Sequence, residues 1–142
     1  MIEFKMTPRF RALAINYPRL FPQIDNPNQP IIELQNEGWF KLVEDTLFLL
    51  NRETECMPED ICDGIVVHQI KTKFGGLRIH LNQTTPFLRG VIAMAEQTSY
   101  SICEHCGLKG DIRNIRGWVA TLCEEHFLKE KHRIEDTLKK NS

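Results

Sequence analysis

Between Pro8 and Tyr17 the apolar residues Phe10, Leu13 and Tyr17 recur every three or four positions, which predicts a short helix with one face inward. Thr7-Pro8 marks its start, because threonine caps and proline tolerates the first helical position; Pro18 stops it. A second helix is expected over Gly38–Asn51, capped by Asn36. Trp39, Val43, Leu47 and Leu50 form its buried stripe, Phe40 and Leu42 widen it, and Glu44 and Asp45 face away. From Leu77 to Asn82 the period changes to two, with Leu77, Ile79 and Leu81 on one face and Arg78, His80 and Asn82 on the other. Paired with Ile65–Lys71 around Lys73-Phe74-Gly75-Gly76, this predicts a β-hairpin whose diglycine supplies positive φ. The first strand alternates poorly, which predicts cover on both faces.

Thr85-Pro86 repeats the cap-and-proline start before Phe87–Ile102. Leu88, Ile92, Ala95, Ser99 and Ile102 share one face there, extended by Val91 and Met94, so this reads as the central buried helix. Asp111–Ile115 and Trp118–Leu122 read as two short strands around Arg116-Gly117. A last helix from Cys123 to about Lys140 turns Phe127, Ile134 and Leu138 inward, with charges at its ends that suit the helix dipole. Residues 18–30, with four prolines, predict an irregular loop. Residues 52–63 predict an acidic, irregular segment.

The chemistry concentrates in the last third. Cys103 and Cys106 are two residues apart, sixteen residues separate Cys106 from Cys123, and Cys123 and His126 repeat the first spacing. Three thiolates and one imidazole complete a tetrahedron around one structural Zn²⁺ and leave no coordination position for substrate. Gly107 supplies the tight turn that a knuckle needs, where backbone N–H groups point at sulfur. Knuckle, hairpin, then a helix carrying the second ligand pair resembles the treble-clef zinc finger. His105 is expected to point outward between the two cysteines, and His132 is the reserve ligand. His68 and His80 read as ordinary strand residues, and Cys56 and Cys62 as unligated thiols.

The predicted architecture is therefore α+β: helices packed on a β-hairpin, followed by a C-terminal treble-clef-like finger. The 142 residues read as one domain, with a body over 1–102 and a finger over 103–142. The hydrophobic fraction of 42% and charged fraction of 26% are ordinary for a globular protein. Three of the five cysteines suit a metal, and the first residues lack an apolar signal run. Both features predict a cytoplasmic protein without a membrane span.

The net charge of −1 hides an uneven distribution. Residues 25–63 carry ten acidic side chains against Lys41 and Arg52, whereas residues 64–95 carry Lys71, Lys73, Arg78 and Arg89 and no acid. That division suits a protein partner with patchy charge. From residue 103 onward eight basic residues face seven acidic ones, so the footprint expected of a nucleic-acid binder is missing, and nucleic acid is the alternative partner. The treble-clef likeness raises the possibility of an HNH-type nuclease, but the segment Asp111–Leu122 contains no histidine to serve one.

Lys73–Arg78 (Lys-Phe-Gly-Gly-Leu-Arg) together with Gly117–His126 resembles a group of small bacterial and phage-borne proteins with a hairpin, a helix and a C-terminal zinc finger. The resemblance covers roughly residues 37–127. Proteins of this group can accompany bacterial toxin genes, and the resemblance implies a non-enzymatic immunity protein that binds a cognate toxin. The binding surface is then expected within Asp25–Asp63 and at the hairpin tip near Phe74.

Overall fold

A computed structural model describes residues 6–26 and 31–141; Pro27 and Pro30 of the predicted loop, and the N-terminal residues read for a signal run, lie outside them. The described chain is mixed α+β, with five helices and two small sheets. Helix α1 (Pro8–Ile15) starts as predicted, with the Thr7 hydroxyl accepting from the Phe10 N–H at 3.4 Å and Phe10 and Leu13 buried. After it comes a strand that local periodicity did not reveal. β1 (Ile32–Glu33) lies parallel to β2 (Val67–Lys73), with Ile32 opposite Ile70 and Glu33 opposite Lys71.

β2 pairs with β3 (Gly76–Leu81) to give the order β1-β2-β3. The poor alternation of β2 has a local cause. Its register shifts between Val67 and Gln69, so a bulge at His68 lets Val67 and Ile70 both face the core although they are three residues apart. At the hairpin tip φ is +52° at Phe74 and +79° at Gly75, the signature of a type I′ turn. The positive φ thus falls on Phe74 and Gly75, whereas the sequence pointed to Gly75 and Gly76. A left-handed phenylalanine costs about 1 kcal/mol.

α2 (Phe40–Glu55) begins later than predicted. Asn36 does not cap it; Trp39 stands at the N-cap without a side-chain hydrogen bond. The residues before it are held against the last third of the chain. The Gly38 N–H donates to the Glu104 carbonyl at 3.0 Å, and the buried Trp39 indole donates to the Ile102 carbonyl at 2.8 Å. A short helix, α3 (Glu59–Cys62), lies within the acidic segment predicted to be irregular. Arg19 fastens the preceding loop to both helices, donating to the Asn51 side chain at 2.9 Å and to the Cys62 carbonyl at 3.3 Å.

α4 (Pro86–Ser99) is capped by Thr85, whose hydroxyl accepts from the Leu88 N–H at 3.2 Å. It packs against α2 and β3, with Leu88, Ala95 and Ser99 buried. The predicted central burial of this helix is corrected on one side. Phe87 is 58% and Met94 67% exposed, and the helix ends before Ile102, which instead bridges to Lys109. Leu42 and Leu49 of α2 face Phe87, Val91 and Met94 of α4 across an open groove of about 550 Å³. No helix among the described residues is long and apolar enough to cross a membrane.

The last third keeps its predicted strands, β4 (Asp111–Ile115) and β5 (Trp118–Leu122), followed by α5 (Glu124–Lys140). Ile115, Ala120 and Leu122 form a small core with Cys103, against which Phe127 and Ile134 pack. Leu138, predicted to face inward, is 45% exposed. The first hairpin docks on β5 through Thr121, fully buried, whose hydroxyl donates to the Gly75 carbonyl at 2.7 Å. Thr121→Val keeps the shape but leaves that carbonyl unpaired, and is expected to cost about 1–3 kcal/mol in equilibrium denaturant unfolding.

Candidate metal centre

Two segments, each carrying one pair of donors, deliver the predicted ligands to one point. Cys103 follows α4 and is buried, with its N–H donating to the Leu108 carbonyl at 2.7 Å. The knuckle closes through the Gly107 N–H to the Cys103 carbonyl at 2.9 Å, with Gly107 at φ +80° as its turn requires. Cys123 is the N-cap of α5, and His126 lies in the first turn of that helix.

The donor atoms of Cys103, Cys106, Cys123 and His126 all lie within 4.8 Å of one another. Sγ of Cys106 and Sγ of Cys123 are 3.8 Å apart. His126 Nδ1 stands 3.2 Å from Cys123 Sγ and 3.7 Å from Cys103 Sγ. Tetrahedral zinc with sulfur at about 2.3 Å and nitrogen at about 2.0–2.1 Å needs donor separations of about 3.8 Å for S–S and about 3.5 Å for S–N. The side chains are therefore able to hold one metal ion, with spacings compatible with zinc.

The electrostatics also suit thiolate donors. The His126 backbone N–H, more than any other group, holds the Cys123 thiol down at about 7, against the opposing effect of burial. Its place at a helix N-terminus favours the same thiolate. Burial pushes the Cys106 thiol up, while the Leu108 N–H bonded to it pulls the other way. The Leu108 amide is sulfur-directed as expected of the knuckle, whereas the His126 amide belongs to the first turn of α5.

His105 does not point outward. Its ring stacks on His126 with centroids 5.0 Å apart, and its Nε2 is 3.8 Å from the Glu130 carboxylate. Burial lowers its pKa, with Glu130 opposing. It braces the ligand ring, a role that spacing alone did not reveal, since Glu130 comes from a later turn of α5. Burial likewise raises the neighbouring Glu104 to about 7, although the Thr121 N–H reaches its carboxylate at 3.4 Å. His132 is exposed and outside the cluster. His68 and His80 are exposed strand residues, with Gln69 rather than His68 opposite His80. Neither Cys56, exposed, nor Cys62, buried with its thiol pKa raised chiefly by burial, joins the cluster.

Four protein donors fill a tetrahedron, so an ion held here has a structural place. No protein-family model, no curated protein and no solved structure matches the chain.

Proposed function

We propose that this chain is a non-enzymatic protein-binding module stabilised by one zinc ion in a treble-clef-like finger, and that it acts as an immunity protein neutralising a toxin. The observation that carries the reading is the groove between α2 and α4. Phe87 and Met94 are mostly exposed on its rim, and Leu42, Leu49 and Val91 line it, an apolar concavity that water covers poorly. Asp45 stands at its edge, in the acidic stretch where ten carboxylates face two cations. An amphipathic helix with an apolar ridge and flanking lysine or arginine is complementary to both features. A fold held rigid by a metal lowers the ordering cost of such binding.

The test is affinity capture at moderate salt with metal retained, repeated with Met94→Glu. The expected result is one stoichiometric basic protein that the variant loses at unchanged melting midpoint, and whose toxicity on expression is relieved by co-expressing this chain. Capture of nuclease-sensitive nucleic acid that Met94→Glu retains would overturn the reading and move the binding surface to Arg113, Arg116 and α5.

A further inference from the structure

A second cleft, of about 830 Å³, lies where β1 and β2 meet β5 and α5, and it shares no lining residue with the α2–α4 groove. Beside the buried Trp39, two exposed aromatic side chains line it. Phe74 is 69% exposed at the hairpin tip, and Trp118, 38% exposed, opens β5. Phe74 contributes little burial to the fold and sits at a left-handed φ that asparagine or glycine would adopt with less strain. Its ring face already attracts a cation: Lys73 Nζ stands 5.7 Å from the centroid.

The same lining carries three carboxylates, of Glu33, Glu104 and Glu130, against two cations, of Lys71 and Arg133. Glu130 is engaged by Arg133 at 2.7 Å, and Glu33 accepts from the Gln69 amide at 2.8 Å. The half-buried Glu104 has no ion pair among the described residues, only the long bond from the Thr121 N–H. Lys71 completes the charged lining from the strand side.

The geometry points to a guanidinium site: we infer that the cleft takes an arginine side chain or a small guanidinium compound, with the planar cation against Phe74 and Trp118 and its N–H fork on Glu104. Guanidinium is the cation that both lies flat on an aromatic face and donates two parallel hydrogen bonds to a carboxylate, whereas an ammonium is a compact point charge that is drawn to a ring face without stacking on it and has no planar fork for a carboxylate. The inference does not rest on the immunity reading, and the two fail separately.

The experiment uses the metal-loaded full chain. N-acetyl-arginine amide, its lysine and citrulline counterparts and an arginine-containing peptide are titrated by calorimetry and by tryptophan fluorescence. Saturable binding of the arginine compound is expected, weaker binding of lysine, and none of citrulline, which keeps the shape without the charge. Phe74→Asn should lower affinity by about tenfold, with a melting midpoint unchanged or raised because the backbone strain is relieved. Loss of binding without loss of fold separates recognition from structure, and Glu104→Gln checks the carboxylate independently. A peptide binding more tightly than free arginine amide identifies a protein's arginine as the occupant, and equal affinities identify a small guanidinium compound. Equal binding of citrulline, full affinity in Phe74→Asn, or displacement by inorganic phosphate acting through Lys71 would overturn the inference.

Discussion

Removing the metal, by a strong chelator or by Cys103→Ser, is expected to unfold residues 103–140 and to loosen the helices and sheet that precede them. Structural zinc in small fingers contributes about 10–16 kcal/mol of apparent binding free energy near neutral pH, more than most domains possess in total. Around this centre little else would hold the segment together. Its own core consists of Ile115, Ala120 and Leu122 beside Cys103, and α5 buries no residue fully. The loss should spread, because Trp39 donates to the Ile102 carbonyl next to the first ligand and Gly38 donates to Glu104 just after it. Far-ultraviolet circular dichroism and amide exchange would follow the loss, with exchange rising first in β4, β5 and α5. Acid should act in the same direction. The thiolates bind metal only when deprotonated, so stability supplied by the ion is present at neutral pH and is lost as pH falls and protons compete. A chain that keeps its melting midpoint and its exchange protection after complete metal removal would contradict the structural role.

Much of this arrangement was legible because its signals are local. Thr7-Pro8 and Thr85-Pro86 each announced a helix start, and both threonine hydroxyls cap as the sequence requires. The strands Asp111–Ile115 and Trp118–Leu122 fall where the Arg116-Gly117 turn predicted, with positive φ at both turn residues. The donor set converges because two short spacings each fix a pair, and one hairpin then suffices to bring the pairs together. What could not be read depends on residues distant in sequence. β1 is a strand only by virtue of its pairing with β2, some forty residues later, and two residues carry no period of their own. The bulge at His68 changes the phase of the apolar pattern within a single strand, so alternation counted along Ile65–Lys71 was bound to mislead. Asn36 has the chemistry of a cap, but a cap must stand at the first turn, and contacts to Ile102 and Glu104 postpone that turn to Phe40. The inward turn of His105 is illegible for a related reason: its partners, His126 and Glu130, belong to a helix that the knuckle's own sequence does not specify. The cleft beside it is a product of packing alone.

Gly38→Ala is expected to be the most damaging single methyl addition in the chain, because of where the backbone runs. A Cβ at this position would stand 2.2 Å from the Cys103 carbonyl oxygen and 2.4 Å from the Glu104 carbonyl carbon. Those atoms belong to main chain, which cannot swing aside as a side-chain end would. Cys103 is fixed further by its N–H bond to the Leu108 carbonyl, and Glu104 by its N–H bond to the Thr121 carbonyl at 3.0 Å. To admit the methyl group, either the knuckle must leave the Trp39 segment, breaking the Gly38 and Trp39 hydrogen bonds, or the first ligand must leave the cluster. Overpacking ordinarily costs about 1–3 kcal/mol; with rigid backbone on the receiving side and two buried hydrogen bonds at stake, about 3–5 kcal/mol is expected. Two measurements together distinguish the routes of relief. If the seam opens, denaturant unfolding shows the loss while zinc affinity holds near its original value. If the ligand shifts, zinc affinity falls as well, measured by competition with a chromophoric chelator. Full stability and full affinity in Gly38→Ala would mean that the two segments do not approach each other as closely as the 3.0 Å Gly38–Glu104 hydrogen bond places them.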